Sequence, residues 1–275
     1  MPKTLYISDL DGTLLDNNAE LSDFTVGALN ALIARGVHFT VASARTEYSA
    51  KFILERLDLR LPVCLSNGVT LYDTRGKRYL DTKYIDLGAL SGALRLAREA
   101  GVPPLVYTLS GSEMRVYYDP RSETDAMREF RELRRARYGK VFTPTDNLYA
   151  LSSGVMYLSA MGERGEIAPL AEELRKNPLL SVEFYRNTYT ESTWLLEVFS
   201  SEASKGSGVE TLRRKYGFDR VVGFGDNLND LPMFAVCDEA YATANAQDAV
   251  KAAATAVIGA NDADGAARWL AAHAT

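Results

Sequence analysis

Two aspartates, Asp9 and Asp11, sit two residues apart directly behind the apolar run TLYIS (4–8), with Gly12 and Thr13 next. Side chains on a strand alternate, so carboxylates at this spacing start on one face and repel each other. A divalent cation removes that repulsion. Asp226 and Asp230, in the run GDNLND (225–230), add the hard oxygen ligands that Mg²⁺ prefers. Ser43 and Lys205 supply a hydroxyl donor and a cation. A bound phosphate needs both, with a metal to neutralise its charge. The chemistry open to this set is the binding of a phosphate beside a divalent metal ion. Gly12 lets the chain turn away sharply after the strand.

These residues need elements that bring distant segments together. TLYIS reads as a buried parallel strand. A helix is predicted over 23–35, with Ser22 as its N-cap, Leu21 and Val26 as a hydrophobic staple and Gly36 past its end. A strand at 37–43, a helix at 46–57 and a strand at 61–68 complete a β-α-β-α-β alternation, which predicts a parallel sheet covered by helices. From 84 to 200 the pattern changes. Helices at 88–100, 122–137 and 166–176 are interspersed with strands at 105–109, 113–119, 154–161, 180–187 and 193–199, an α+β unit with an antiparallel sheet. The first pattern returns with a helix at 206–216, a strand at 220–224, a helix at 229–236 and short strands at 240–243 and 256–258. The expected architecture is an α/β core made of 1–83 and 201–275, interrupted by an inserted domain at 84–200. Asp9 and Asp11, Ser43 and the GDNLND run all follow strands, and Lys205 opens a helix. In open α/β sheets the carboxyl ends of the strands form the ligand-binding rim.

The chain has 275 residues, enough for two cores, and a net charge of −5, which speaks against non-specific nucleic-acid binding. Two cysteines, Cys64 and Cys237, build no disulfide framework and suggest a reduced compartment. No signal-peptide core and no run of about 20 apolar residues is present. A soluble cytoplasmic protein is expected, without nucleic-acid or membrane partners, as a monomer or weak homodimer.

DLDGT, Ser43, SKG (204–206) and GDNLND resemble, in order, the four motifs of the haloacid dehalogenase (HAD) superfamily. ASAR (42–45), SNG (66–68), LLEVF (195–199), TANAQDAVKAAA (243–254) and NDADGAARWL (261–270) make the finer resemblance one to the Cof-type phosphatases with a type-2 cap. The resemblance implies a Rossmann-like HAD core with an inserted α+β cap, and a Mg²⁺-dependent phosphatase for small phosphorylated metabolites, either a sugar phosphate or a cofactor-like compound. Asp9 would be the nucleophile, forming an aspartyl-phosphate. Asp11 would protonate the leaving alcohol and then deprotonate the attacking water. The Asp9 carboxylate, the Asp11 carbonyl and Asp226 would hold Mg²⁺, with Asp230 acting through a metal-bound water. Ser43, Lys205, Asn229, Gly12 and Thr13 would bind the phosphoryl group, and Arg45, Asn67 and Gly68 would line the substrate side. Motif two usually reads A-T-G-R. Here Ala44 replaces the glycine, which bears on the loop geometry and on the role of Arg45.

Several features have plainer readings. Arg128, Arg131, Arg134, Arg135 and Arg137 read as a solvated helix face paired with Glu129 and Glu132. Asn227 reads as a loop residue, Cys64 as core, and neither His38 nor His273 as a catalytic imidazole. The tyrosines at 117–118 and 185–189 read as sheet packing, with Tyr185, Arg186 and Tyr189 as probes of substrate contact. Three other functions compete: a phosphomannomutase-like hexose phosphomutase, a non-enzymatic metabolite-binding protein, and a P-type pump fragment. The last is excluded by the lack of membrane spans. The full set of Asp9, Asp11, Lys205 and Asp226 argues against a mere binder.

Overall fold

The computed structural model describes residues 2–186 and 193–274. Tyr189 lies outside the described residues. The first part of the chain forms β1 (Thr4–Ser8), α1 (Asp23–Ala34), β2 (His38–Val41), α2 (Glu47–Leu54), β3 (Val63–Leu65), β4 (Thr70–Asp73) and β5 (Arg78–Thr82). The middle forms α3 (Leu87–Glu99), β6 (Leu105–Ser110), β7 (Glu113–Tyr118), α4 (Asp125–Tyr138), β8 (Phe142–Pro144), β9 (Val155–Gly162), α5 (Arg164–Arg175), β10 (Leu180–Arg186) and β11 (Trp194–Ser200). The last part forms α6 (Lys205–Tyr216), β12 (Arg220–Gly225), α7 (Leu231–Phe234), β13 (Glu239–Thr243), α8 (Asp248–Ala253), β14 (Ala256–Ile258) and α9 (Gly265–His273). The chain divides into two compact units, Met1–Asp81 with Ala203–Thr275, and Thr82–Glu202.

The first unit is built on a parallel sheet ordered β14-β13-β12-β1-β2. Alternation within β1 explains its three layers. Leu5 and Ile7 face a core with Val209 and Leu212 of α6 and Met233 of α7. Tyr6 faces the other way, onto Leu29, Leu32 and Ile33 of α1 and Leu270 of α9. α1 starts where the Ser22 side chain accepts from Thr25 N–H and stops before Gly36, at φ +96°. α6 starts at Lys205, with Ser204 and Ser207 capping each other's backbone N–H, and ends at the left-handed Gly217.

The expected third parallel strand over 61–68 is corrected. Its strand is only Val63–Leu65, and a single parallel bridge, Ala42 to Cys64, ties it to the main sheet. Its ladder is antiparallel, with β4, in a three-stranded sheet β3-β4-β5 that the sequence pattern did not suggest.

In the second unit α3 and α5 cover one face of a sheet ordered β10-β11-β9-β6-β7-β8, antiparallel apart from the parallel β7–β8 pair. The strands expected at 105–109 and 113–119 pair as a hairpin, with Ser110 opposite Glu113 and Gly111 at φ +62°. α4 starts at Asp125, not 122, because the Thr124 side chain caps Met127 N–H. Of the expected pairs, Arg131 reaches Glu132 at 3.8 Å, and the shorter contacts go elsewhere. Arg131 binds Glu123 at 2.6 Å and Arg128 binds Asp125 at 2.8 Å, both upstream of the predicted Glu129. Arg134 lies over the Phe130 and Tyr138 rings. Among the described residues no helix is long and apolar enough to cross a membrane.

Candidate active site

β1 and β12 run side by side, with Ser8 in register with Phe224, and Asp9 N–H continues the ladder to Phe224 O at 2.9 Å. Asp9 and Asp226 therefore leave the sheet at the same carboxyl end. Lys205, at the first turn of α6, reaches both sides of this junction. Its Nζ donates to Asp9 Oδ1 and to Asp230 Oδ1, each at 2.6 Å. Lys205 is 1% exposed and Asp230 fully buried, so this lysine is not a solvated one. The Asp230 Oδ2 accepts from the backbone N–H of Asp226 and Asn227, at 2.9 and 3.0 Å. Asp230 is thus a rigid anchor that shapes the Asp226 loop and holds Lys205.

The carboxylate oxygens of Asp9, Asp226 and Asp230 lie within 4.8 Å of one another. Burial pushes the Asp9 carboxyl well above the usual carboxylate range; Lys205 opposes this and the neighbouring Asp230 and Asp226 add to it. Burial and then the Asp230 charge push Asp226 up to about 6, against a hydrogen bond from Thr13 and the charge of Lys205. Burial pulls the Lys205 pKa down, but Asp230 and Asp9 more than reverse that and hold it above its ordinary value. Three carboxylates thus share one ammonium in a buried site. A divalent cation with a preference for oxygen ligands would balance the charge left over, and the donor set fits Mg²⁺ chemistry.

Gly12 is required where it stands. Its φ is +79°, and a Cβ there would run into the Asp226 carboxylate. Its carbonyl accepts from Asn245 Nδ2 at 2.8 Å and Thr243 Oγ1 at 3.3 Å. Thr13, expected to bind phosphate, makes a carboxylate contact in the structure. Its hydroxyl is buried and donates to Asp226 Oδ1 at 2.9 Å, so it orients a carboxylate. Asn245 and Thr243 were quoted in the sequence only as part of a pattern; their hold on Gly12 becomes visible only when β13 lies beside β12.

The motif-two loop joins the same cluster. Ser43 is buried, its Oγ accepting from Arg45 N–H at 3.1 Å, and its carbonyl accepts from Asn67 N–H at 3.1 Å. Asn67 Oδ1 accepts from Asn229 Nδ2 at 3.0 Å, so two residues assigned to substrate and phosphate bind each other. Ser66, Asn67 and Gly68 all have positive φ, at 51°, 56° and 89°. At Gly68 a Cβ would overlap the Ser204 carbonyl, which seats this turn against the start of α6. Ala44 does not adopt positive φ, so the departure from the family's glycine leaves this backbone unstrained. Arg45 is turned to Asp11 instead of an open substrate face. Its Nε and Nη2 grip the two Asp11 oxygens at 2.7 and 2.6 Å, and its Nη1 reaches Ser49 O at 3.3 Å. The Asp11 side chain remains 49% exposed.

The sequence profile of the haloacid dehalogenase-like hydrolases matches residues 6–270. A 5-amino-6-(5-phospho-D-ribitylamino)uracil phosphatase, YwtE, of Bacillus subtilis is 26% identical, covering 95% of each chain. The pyridoxal phosphate phosphatase YbhA of Escherichia coli is 24% identical, covering 96% of each. Among solved structures, TM0651 from Thermotoga maritima superposes with a TM-score of 0.79 at 22% identity, over 100% of this chain and 98% of that one. The subclass IIB sugar phosphatase BT4131 gives a TM-score of 0.71 at 18% identity, over 98% of this chain and 97% of that one. At such identities the structural likeness shows the fold.

Proposed function

The chain belongs to the haloacid dehalogenase-like hydrolase family and is a phosphoric monoester hydrolase, and from that premise we propose that it is a Mg²⁺-dependent phosphatase of small phosphorylated metabolites working through an aspartyl-phosphate on Asp9. The observation that carries this reading is the cluster of buried Asp9 and Asp230, both paired to Lys205, with half-buried Asp226 beside them. A carboxylate held there serves as a nucleophile without a base to activate it. The two 24–26% identical relatives named as phosphatases of a ribityl compound and of pyridoxal phosphate support a small-metabolite substrate.

Lys205 holds Asp9 by Oδ1 and orients the carboxylate. An Asp9 oxygen attacks phosphorus as the bond to the leaving oxygen breaks, and Asp11 delivers the proton to that oxygen. Water then attacks the phosphoryl group on Asp9, giving its proton to Asp11, and phosphate leaves. Asp11 must first turn away from Arg45, whose guanidinium fork holds both of its carboxylate oxygens. The exposure of its side chain gives it room to turn. Ser43 and the Lys205 charge face the transferred group. Asp9, Asp226 and the Asp11 carbonyl would hold Mg²⁺, with Asp230 behind them, and the bound cation would neutralise charge on the phosphoryl oxygens. We assign choice of the leaving group to the second unit, because every residue given to phosphoryl chemistry lies outside it.

The test is chelation. Phosphate release from p-nitrophenyl phosphate should vanish in excess chelator and return with added Mg²⁺. Full activity in excess chelator contradicts the metal requirement.

A further inference from the structure

Two stretches of the sequence, TANAQDAVKAAA (243–254) and NDADGAARWL (261–270), take no part in the phosphoryl chemistry. Within the first unit both return to the turn that carries Asp11. That turn is built on the Leu10 carbonyl, which accepts from Thr13, Leu14 and Leu15 N–H at 3.3, 3.0 and 2.8 Å. Three donors on one carbonyl hold the turn from within. The Gly12 and Leu15 carbonyls point away from it, and each is taken by an asparagine from the far end of the chain.

Asn245 follows β13 and lies at the surface. A surface asparagine usually contributes little. This one has both ends of its amide engaged by backbone. Nδ2 donates to Gly12 O at 2.8 Å, and Oδ1 accepts from Asn261 N–H at 3.0 Å. One partner only accepts and the other only donates, so the amide fits one way round. Thr243 Oγ1 donates to the same Gly12 carbonyl at 3.3 Å and fills its second lone pair. Asn261 is buried, and its own Nδ2 donates to Leu15 O at 2.8 Å. A relay of two asparagines thus grips the turn at Gly12 and at Leu15.

The same stretch holds the other acidic loop. Gln247 N–H donates to Asp226 O at 3.0 Å, and Gln247 Nε2 donates to Asn227 Oδ1 at 2.6 Å. Residues 243–247 are therefore tied to both loops whose spacing sets the carboxylate cluster. The clearance between those loops is small, since a Cβ on Gly12 would overlap the Asp226 carboxylate. Any shift of the Gly12 peptide carries its neighbour Asp11 with it. We propose that Asn245 is a positioning residue: backed by Asn261, it fixes the Gly12 peptide and thereby the place of the Asp11 carbonyl and side chain beside Asp226. The proposal rests on the phosphatase reading, in which that carbonyl would hold Mg²⁺ and that side chain moves the proton.

The test separates position from stability. Asn245→Ala trims a surface side chain and opens no cavity, so the protein should fold. Calorimetric titration with Mg²⁺, without substrate, should give a dissociation constant about fivefold or more above that of the unaltered protein. With p-nitrophenyl phosphate, kcat should fall about fivefold or more while KM stays within about twofold. Hydrogen exchange should quicken in residues 10–16 and stay unchanged in α1 and β2, which a general loss of stability would not spare. Asn245→Asp keeps the acceptor for Asn261 N–H and loses the donor to Gly12, so its residues 10–16 should exchange as fast as those of Asn245→Ala. Unaltered Mg²⁺ affinity and kcat in Asn245→Ala overturn the proposal. So does exchange that quickens evenly across the first unit, or that stays slow at 10–16 in Asn245→Asp. An unaltered protein that binds no Mg²⁺ contradicts the metal of the phosphatase reading, and exchange at 10–16 then still decides whether Asn245 holds the turn.

Discussion

Asp226 links metal binding to pH. Its carboxyl is raised to about 6, above the ordinary 3.8, so in the metal-free fold its contribution to stability is complete below 3.8 and is lost as pH rises through about 6. Protons and Mg²⁺ then compete for one carboxylate. The Mg²⁺ concentration for half-maximal activity should climb as pH falls from 7 to 5. The melting temperature gained on adding Mg²⁺ should be larger at pH 8 than at pH 5. Scanning calorimetry with and without chelator checks both signs; a gain that grows toward acid contradicts the assignment. At this scale the sequence was informative about residue type and less so about partners. Asp9, Asp226 and Lys205 were legible because four motifs stand in order along the chain; alone, Lys205 would have read as a solvated surface lysine. The Thr13 bond to Asp226 and the Arg45 fork on Asp11 were not, because each depends on a side-chain direction that spacing alone leaves open.

The elements hold the site through a close backbone approach at Gly68, and glycine substitutions separate that role from ordinary helix propensity. Gly68 has φ +89° and abuts the Ser204 carbonyl, so Gly68→Ala should cost about 2–4 kcal/mol and lower activity by displacing α6 and Lys205. Gly27 sits exposed in α1 with nothing within 4 Å of its absent Cβ, so Gly27→Ala should stabilise by about 0.5–1 kcal/mol and leave activity alone. Chemical denaturation of both variants checks the contrast; equal effects would mean that the turn at Ser66–Gly68 is not under constraint. The helices and parallel strands were legible from periodicity and caps, as at Ser22 and Gly217. The β4–β5 hairpin was not. Its strands, TLYD and RYLDT, are short, with half-buried polar residues among the apolar ones, and their partner is the brief β3 rather than the main sheet.

At the scale of the whole molecule, the account separates chemistry from selection. The first unit holds the carboxylates and Lys205, and the second has its own sheet and core. Replacing residues 84–200 by the insert of a related phosphatase should change which metabolite is preferred, while Mg²⁺ dependence and slow turnover of p-nitrophenyl phosphate remain. A folded chimera with the original ranking would place selection in the first unit. That a second unit interrupts the first was readable from the return of the β-α pattern after 205. What it selects was not, because no motif between 84 and 200 names a leaving group. The most direct test of the central claim is to trap the covalent intermediate. Asp11→Asn keeps the nucleophile and loses the base for hydrolysis, and p-nitrophenolate leaves with little acid help. Acid quenching of that variant after incubation with labelled p-nitrophenyl phosphate and Mg²⁺ should give stoichiometric phosphate on the peptide containing Asp9, and none in Asp9→Asn. Turnover by Asp9→Asn, or label on another residue, would contradict the assignment of Asp9 as the nucleophile.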